Sequence, residues 1–508
     1  MLVARNSGNG NGTWETGSRK PVFFPMRAIQ HNVILNIGRC WLTNQISMVI
    51  RSVNPYNNQV LRTYEEPTDK QVDEMVSRAY TTYQTWRKTS FKERSEYLAR
   101  VAKEIQGRTQ ELARLATLEM GKRIRESVGE LRLSASIVEY YAANGERFLQ
   151  PQRIDAKYGE AEIHYEPLGP LLGVMPWNFP YYQVVRFAAP NLMAGNVVLV
   201  KHSSNVPQTA AAIDELFRSA AGGSEGLYTN LLISSARVDR IIEDPRIAGV
   251  SLTGSTSAGK AIAAKAGENL KKVVLELGGS DPFIVLDDAN IEKAVSQAVW
   301  SRMLNNGQQC TAAKRFIVSE KVADRFLAGF MEALRKLQAG DPMAQETTLP
   351  PLSSESQART LEDQINVAVS HGAKILLGGK RIDRPGAFLE PTILTDVRPD
   401  SPAYNEEFFG PVALFFRAKD DDDAVRLAND TPFGLGGAVF TEDRKRGAKV
   451  AAEVESGMVW VNHPTLSSPE LPFGGIKNSG FGRELSSLGI TEFVNKKLVR
   501  LTSVDDPF

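Results

Sequence analysis

The chain of 508 residues has only two cysteines, Cys40 and Cys310, and only five histidines. Two cysteines cannot build a disulfide framework, and their scarcity is typical of a reducing compartment, so we expect a cytoplasmic protein. No histidines form a cluster or pair with metal-ligand spacing, so we predict no metal site. A Cys–His hydrolase lacks support for the same reason.

The sequence also lacks an apolar run of about 18 residues, the length that a membrane-spanning helix needs. It has no excess of charge of either sign, because Lys and Arg together number 60 and Asp and Glu number 59. A formal net charge of +1 gives no overall attraction to nucleic acid or to an anionic membrane. We therefore predict neither as a partner.

Residues 1 to 47 differ from the rest of the chain in composition. They are rich in Gly and Asn, carry several basic residues and contain Glu15 as their only acid. We expect this segment to be a disordered leader, with the folded protein starting at Met48. A transit peptide, which is also Arg-rich and poor in acids, is the alternative interpretation.

After Thr68 the sequence predicts amphipathic helices, followed by alternating strands and helices. Ser90 and Glu93 in "SFKERSEYLARVA" have the spacing of a capping box at a helix start. Short β-branched runs such as "GNVVLVKHS", "GVSLTGS" and "KKVVLELGG" are then separated by helix-length segments. This alternation indicates parallel sheets with crossover helices, in two α/β domains that meet near Gly278.

Cys310 lies in "NNGQQCTAAKR", between a helix expected to stop at Gly307 and the predicted strand "KRFIVS". Functional residues concentrate in such loops. A lone cysteine, however, is more often a small buried apolar residue, and a thiol needs an activating neighbour to react at neutral pH. Glu276 in "LELGG" is a candidate base, because a carboxylate on an apolar strand is costly unless it is paired or functional.

Eight separate motifs resemble the aldehyde dehydrogenase superfamily. In chain order these motifs are "PWNFP", "GNVVLVKHS", "TGSTSAG", "LELGG", "NNGQQC", "EEFFGPV", "FGLGGAVFT" and "PFGGIKNSGFGRE". The resemblance covers the chain from about Ser52 onward. It implies an α/β fold with two doubly wound parallel-sheet domains, a small β-hairpin oligomerisation element, and NAD(P)-dependent oxidation of an aldehyde to a carboxylic acid.

The resemblance implies three catalytic residues. Cys310 would attack the aldehyde carbonyl, and Asn178 would donate its side-chain amide to the developing oxyanion beside the backbone N–H of Cys310. Glu276 would activate the water that hydrolyses the resulting thioester. In isolation, Asn178 would be interpreted as a turn residue between prolines.

The resemblance also implies a binding site for NAD or NADP. Its residues would be Trp177, Lys201, Ser204, Gly254, Ser255, Glu407 and Phe409. The turn "TGSTSAG" opens a helix whose free N–H groups suit a pyrophosphate. Family members that use only NAD often carry a Glu where this chain has Ser204, so NADP use is plausible and NAD use is not excluded.

The closest likeness is to succinate-semialdehyde dehydrogenases. Arg186 matches an Arg that binds the substrate carboxylate in that group, and Ser467 matches a Ser that assists it. Two positions depart from the pattern: Leu304 replaces a second Arg, and Phe187 replaces a Lys that relays protons in many relatives. Glutarate semialdehyde, aliphatic and aromatic aldehydes remain alternative substrates, and a non-catalytic binding protein on the same fold is a remote alternative.

The domain bounds that the resemblance implies are 48 to 278 for cofactor binding, with an oligomerisation hairpin at 149 to 167, and 279 to 484 for catalysis. Residues 485 to 508 would form an oligomerisation tail. In relatives the hairpin and the tail pair between subunits, so we expect a homodimer or homotetramer.

Overall fold

Two large β-sheets with helices packed on them make up most of residues 49 to 506, the part of the chain that this computed structural model describes. The predicted leader, residues 1 to 47, lies outside the described residues.

The strands are β1 Val49–Val53, β2 Val60–Glu65, β3 Gln152–Ile154, β4 Glu160–Pro167, β5 Pro170–Met175, β6 Val197–His202, β7 Tyr228–Asn230, β8 Gly249–Thr253, β9 Lys272–Glu276, β10 Asp281–Val285, β11 Ala313–Ser319, β12 Lys374–Leu377, β13 Thr392–Thr395, β14 Val412–Ala418, β15 Phe433–Gly434, β16 Ala438–Phe440, β17 Trp460–Val461, β18 Ile476–Lys477, β19 Gly480–Phe481 and β20 Val494–Leu501.

The helices are α1 Asp69–Trp86, α2 Phe91–Gly107, α3 Thr109–Met120, α4 Ile124–Phe148, α5 Tyr182–Ala194, α6 Pro207–Ala220, α7 Val238–Glu243, α8 Thr256–Glu268, α9 Ile291–Met303, α10 Ala323–Arg335, α11 Glu355–Ser370, α12 Pro402–Asn405, α13 Asp421–Asn429, α14 Arg444–Glu453 and α15 Ser486–Gly489.

The first large sheet has the strand order β19-β9-β8-β5-β6-β7 and is parallel except for β19. The chain runs from β5 to β6 and β7 on one side, then returns to add β8 and β9 on the other. The strand order therefore reverses between β5 and β8, and in such sheets ligands bind at the carboxyl ends of the strands at this reversal. The first sheet thus provides a ligand crevice just after Met175 and Thr253.

The second large sheet has the order β12-β13-β14-β11-β10-β16-β17 and is parallel except for β12. Strands β10 and β11 are buried along their whole length, which explains why they read as continuous apolar runs. The α/β class with two mainly parallel sheets, expected from the sequence, is confirmed. The predicted boundary near Gly278 falls between β9 and β10, which belong to different sheets.

The helix caps follow the predicted chemistry. The Ser90 side chain accepts from the Glu93 N–H, and the Glu93 carboxylate accepts from the Ser90 N–H, which confirms the capping box at the start of α2. Helix α5 was not predicted, because all of its residues are buried and it contains Pro190, so it lacks amphipathic periodicity. Strand β13 was also missed, being only four residues long.

The hairpin and the C-terminal strand form a three-stranded sheet of order β20-β4-β3. The sequence led us to expect that they pair between subunits. In the structure they instead pair within one chain, from Val494 opposite Pro167 to Leu501 opposite Glu160. The chain also rejoins the first large sheet at Gly480, a few residues before the predicted end of the catalytic domain at residue 484.

The segment before Cys310 differs from the predicted helix stop. Helix α9 ends at Met303, and the next turn contains Asn305, Asn306 and Gly307 with φ values of 51°, 53° and 76°. Asn is among the few side chains that tolerate left-handed backbone, and Gly adopts it freely. Three consecutive left-handed residues turn the chain sharply from α9 toward Cys310.

We expect Gly307→Ala to destabilise the protein by about 1–3 kcal/mol, because alanine is strained at this φ and its Cβ would collide with the Gly410 carbonyl. The measurement is the midpoint of thermal unfolding. Gly107→Ala at the end of α2 is the matched control, since a Cβ there meets no atom within 4 Å. An unchanged midpoint for Gly307→Ala would contradict the prediction.

Candidate active site

A cavity of about 250 Å³ lies where the carboxyl ends of β5, β8 and β9 meet the segment before β11. Its wall contains most of the residues singled out in the sequence. These are Trp177, Asn178, Gly254, Ser255, Glu276, Cys310, Glu407 and Phe409. The structure does not bring Lys201, Ser204, Arg186 or Ser467 to this wall.

Cys310 is partly buried in the turn that precedes β11. Burial raises the pKa of its thiol to about 12, while the positive charges of Lys314 and Arg186 act to lower it. The interpretation of Cys310 as a small core residue fails on geometry, since its side chain lines a cavity together with polar groups.

Asn178 is held with its amide in a defined orientation. Its Oδ1 accepts a hydrogen bond of 3.0 Å from Gln183 Nε2, and its Nδ2 donates one of 3.0 Å to the Gln308 carbonyl. The Asn305 side chain donates to the Asn178 carbonyl at 2.8 Å. An amide Nδ2 carries two hydrogens, so one remains for a ligand in the cavity next to Cys310.

Glu276 ends β9 with a buried side chain, and neither of its carboxylate oxygens has a hydrogen-bond partner among the described residues. Burial raises the pKa of this carboxyl well above its ordinary value, although the Arg186 charge acts to lower it. A buried carboxyl without partners is costly for stability. A carboxyl of raised pKa in a cavity is instead typical of a general base or acid.

Glu407 reaches the cavity from the segment before β14 and accepts a 3.2 Å hydrogen bond from the Gly279 N–H. No side chain fits at Gly278, because its Cβ would overlap the Glu407 carboxylate. Phe409 lies edge to face with Trp177, with 5.7 Å between ring centroids. The pair forms an aromatic wall that suits a flat ring.

The first turn of α8 has the features of a phosphate site. Ser255 caps the helix through a 3.2 Å bond from the Ala258 N–H, no acidic residue lies in the first turn, and Gly254 leaves open space before it. Helix N-termini leave N–H groups free and carry positive partial charge. Since this helix follows β8 at the reversal of strand order, the site fits a dinucleotide pyrophosphate.

Lys201 and Ser204 lie at the end of the neighbouring strand β6. Lys201 is buried and donates to Ser235 Oγ at 3.2 Å, and burial lowers the pKa of its ammonium. Ser204 is exposed. Together they place one cation and one hydroxyl beside the crevice, and neither group repels an additional phosphate.

Arg186 does not have the position that a direct substrate contact requires. Its side chain is 1% exposed and forms an ion pair through Nε with Glu484. Its Nη1 donates to the Tyr182 hydroxyl at 3.0 Å, and its Nη2 donates to Thr253 Oγ1 at 3.2 Å. The bidentate grip on a substrate carboxylate, expected from the sequence, would require Arg186 to leave these partners.

Arg186 and Ser467 are nevertheless connected. The Tyr182 hydroxyl donates to Ser467 Oγ at 2.7 Å while accepting from Arg186. Sequence reasoning missed Tyr182 because an aromatic residue in an apolar segment reads as core. Polar residues in the apolar stretch "YYQVVRFAAPN" were the available signal, for both Arg186 and Gln183.

A buried ion pair supports the loop that carries Asn178 and also escaped the sequence analysis. Lys122 Nζ lies 2.5 Å from Glu130 Oε2, both side chains are fully buried, and the ammonium lies 3.8 Å from the Phe179 ring centroid. Glu130 Oε1 accepts from the N–H groups of Tyr181 and Tyr182. The pair therefore anchors the loop at the start of α5.

Within residues 49 to 506, no set of three or more His, Cys, Asp or Glu side chains is arranged to bind a metal ion. In the same range, none of the helices combines the length and the apolar character needed to cross a membrane.

Comparison with known proteins supports the resemblance found in the sequence. Residues 41–499 match the aldehyde dehydrogenase family. A curated relative, the succinate-semialdehyde dehydrogenase [NADP(+)] of Deinococcus radiodurans, is 49% identical over 449 residues, which cover 88% of this chain and 94% of that protein. The enzyme of the same name from Mycobacterium avium is 44% identical, covering 90% of this chain and 97% of that protein.

Among solved structures, the succinic semialdehyde dehydrogenase of Streptococcus pyogenes in complex with NADP⁺ superposes with a TM-score of 0.88. It is 42% identical, and the match covers 89% of this chain and all of that one.

We expect Lys122→Met to destabilise the protein by about 3–5 kcal/mol, because it leaves the Glu130 carboxylate buried without its counter-ion. The double variant Lys122→Met/Glu130→Gln should regain most of this loss, since the introduced amide still offers an oxygen to the Tyr181 and Tyr182 N–H groups. Thermal unfolding of the single and double variants measures the difference. A double variant less stable than Lys122→Met would contradict the prediction.

Proposed function

The chain is a member of the aldehyde dehydrogenase family, and from this premise we propose that it oxidises succinate semialdehyde to succinate with NADP⁺. The observation that carries the catalytic part is that Cys310, Asn178 and Glu276 line one cavity with the residues of the cofactor crevice. The substrate and the cofactor are those in the names of relatives that match nearly their whole length.

In the first step the Cys310 thiolate adds to the aldehyde carbon, and the carbonyl oxygen becomes the oxyanion of a thiohemiacetal. The free Nδ2 hydrogen of Asn178 and the backbone N–H of Cys310 donate to this oxygen. Gln183 fixes the amide in the donating orientation through its bond to Oδ1. Loss of one oxyanion donor costs on the order of 10²–10³ in rate.

When bound, NADP⁺ supplies the acceptor for the hydride on the thiohemiacetal carbon, and loss of that hydride leaves a thioester on Cys310. Glu276 then takes a proton from water as the water oxygen attacks the thioester carbon. The C–S bond breaks, succinate leaves and the thiolate is regenerated. The raised pKa of Glu276 means that this base is available only as the pH rises through that pKa.

The cofactor would be held by residues from both sheets. Ser255 and the N-terminus of α8 would bind the pyrophosphate, and Gly254 leaves room for it. Glu407 would bind the nicotinamide ribose, beside the aromatic pair Trp177 and Phe409. Lys201 and Ser204 favour NADP over NAD, because an ammonium and a hydroxyl accommodate the 2′-phosphate that a carboxylate would repel.

The substrate carboxylate would be bound by Ser467 and the Tyr182 hydroxyl, with Arg186 supplying positive charge behind them. This differs from a direct Arg186 contact, since the guanidinium remains on Glu484. Longer or uncharged aldehydes are the competing substrates, and they would gain nothing from this polar chain.

The protein would assemble as a homodimer or homotetramer. The sheet β20-β4-β3 leaves strand edges at β20 and β3, and Leu498 and Leu501 of β20 are exposed at 60% and 65%. Exposed edges with apolar side chains favour association with another subunit. The cytoplasmic location stays a prediction from the cysteine content.

The experiment that tests the function follows reduction of NADP⁺ and NAD⁺ with succinate semialdehyde, glutarate semialdehyde, butyraldehyde and benzaldehyde. We expect the highest kcat/KM for succinate semialdehyde with NADP⁺ and no turnover by Cys310→Ala. Preference for an uncharged aldehyde would refute the substrate assignment but leave the reaction class intact. Full activity of Cys310→Ala would refute the mechanism.

We expect Tyr182→Phe to raise KM for succinate semialdehyde about tenfold, the effect of losing a hydrogen bond to a charged group of about 1.5 kcal/mol. KM for butyraldehyde should change little. Tyr181→Phe is the matched control, because the Tyr181 hydroxyl donates to the Leu112 carbonyl in the helical layer. Equal losses for both aldehydes would count against carboxylate recognition by this hydroxyl.

A further inference from the structure

Lys314 is a fully buried lysine four residues after Cys310 that the sequence analysis did not single out. Its ammonium donates to the carbonyls of Cys310 at 2.8 Å and Gln309 at 2.9 Å, and more weakly to that of Ala312 at 3.4 Å. It also forms an ion pair of 3.1 Å with Glu407. A single cation thus connects the backbone of the nucleophile turn to a carboxylate of the cofactor crevice.

The burial of this ammonium needs an explanation. Burial lowers the pKa of Lys314, and a buried ammonium is destabilising unless paired and fully hydrogen-bonded. The three carbonyls alone could be satisfied by an uncharged donor. A positive charge at this position has a further effect, because it favours an anion on the nearby sulfur.

Several charged or titratable groups face Cys310, from different elements. They are Lys314 on β11, Arg186 on α5, Glu407 before β14, Asp281 on β10 and Glu276 on β9. Arg302 of α9 faces Lys314 from the other side.

Most of these groups cannot provide a free positive charge for the thiolate. The charge of Arg186 is compensated by Glu484, and Arg302 donates to the Val412 and Gly307 carbonyls. Glu407 and Asp281 are acids and oppose ionisation of the thiol. Lys314 is therefore the cation whose effect on Cys310 depends on one carboxylate, that of Glu407.

We propose that Lys314 is a positioning residue for Cys310, whose ammonium fixes the nucleophile turn and stabilises the thiolate, and that Glu407 determines how much of this charge reaches the sulfur. The proposal rests on the proposed role of Cys310 as nucleophile. It predicts opposite effects for the two partners of one ion pair. Removal of the Lys314 charge disfavours the thiolate, and removal of the Glu407 charge favours it.

The test is the pH dependence of Cys310 alkylation by iodoacetamide in the full chain with Cys40→Ser, so that Cys310 is the only thiol. Alkylation follows the thiolate. Lys314→Met should raise the apparent pKa by about one unit, and at a fixed pH below it the rate should fall about tenfold. Glu407→Gln should shift the profile by a similar amount in the opposite direction.

Lys336→Met, just after α10, is the matched control, since this exposed lysine pairs with Glu332 away from the site and its loss should leave the profile unchanged. A role of Lys314 in packing alone would lower stability without opposite shifts in the two profiles. If Lys314→Met does not fold, the Glu407→Gln profile decides, because an unchanged or upward-shifted pKa in that variant overturns the proposal.

Failure of this inference can be distinguished from failure of the proposed function. If Cys310→Ala retains turnover, Cys310 is not the nucleophile and the mechanism itself is wrong. If Cys310→Ala is inactive and both alkylation profiles coincide with that of the unsubstituted protein, only the role of Lys314 is wrong.

Discussion

The close approach of two sheets at Gly278 and Gly279 is the constraint on which the site depends. A side chain at Gly278 would overlap the Glu407 carboxylate, and a Cβ at Gly279 would lie 2.8 Å from the Cys310 carbonyl oxygen. Because both positions lack a side chain, the end of β9 can contact the turn before β11 and the segment before β14. Glu276, Cys310 and Glu407 come from distant parts of the chain and meet only through this contact.

Bringing these elements together also buries charge, and the structure compensates most of it in pairs. Lys122 with Glu130 and Arg186 with Glu484 are buried ion pairs beside α5. The carboxyl of Glu276 is the exception, since its oxygens have no partner among the described residues and its pKa is raised. Buried groups with uncompensated polarity concentrate where chemistry takes place, and here the unpaired carboxyl lines the same cavity as the cysteine.

The elements that were predictable from the sequence are those with a local signal. The strands around "NVVLVK" and "KVVLE" are continuous β-branched runs, and the cap at Ser90 depends on four residues. Cys310, Glu276 and Asn178 were found through motifs, which report the outcome of folding without deriving it. Composition and periodicity alone left Cys310 as a small core residue.

The features that escaped prediction depend on contacts between distant segments. Helix α5 is buried on every side and so shows no periodicity, and the partners of Arg186 lie up to about 300 residues away in the chain. Lys314 reads as the polar start of a strand, and only the fold places its ammonium under the nucleophile turn. The within-chain pairing of β20 with β4 was unavailable for the same reason.

The pairing of β20 with β4, and of β19 with β9, has a consequence for biosynthesis. The partners of β4 and β9 are among the last residues to be made, so neither sheet can be completed while the chain is still being translated. At about 5–20 residues per second, β4 waits some tens of seconds for its partner strand, with one edge unpaired. During that interval the growing chain depends on protection against edge-to-edge aggregation, and it cannot catalyse its reaction until the C-terminal strands have been released and have docked.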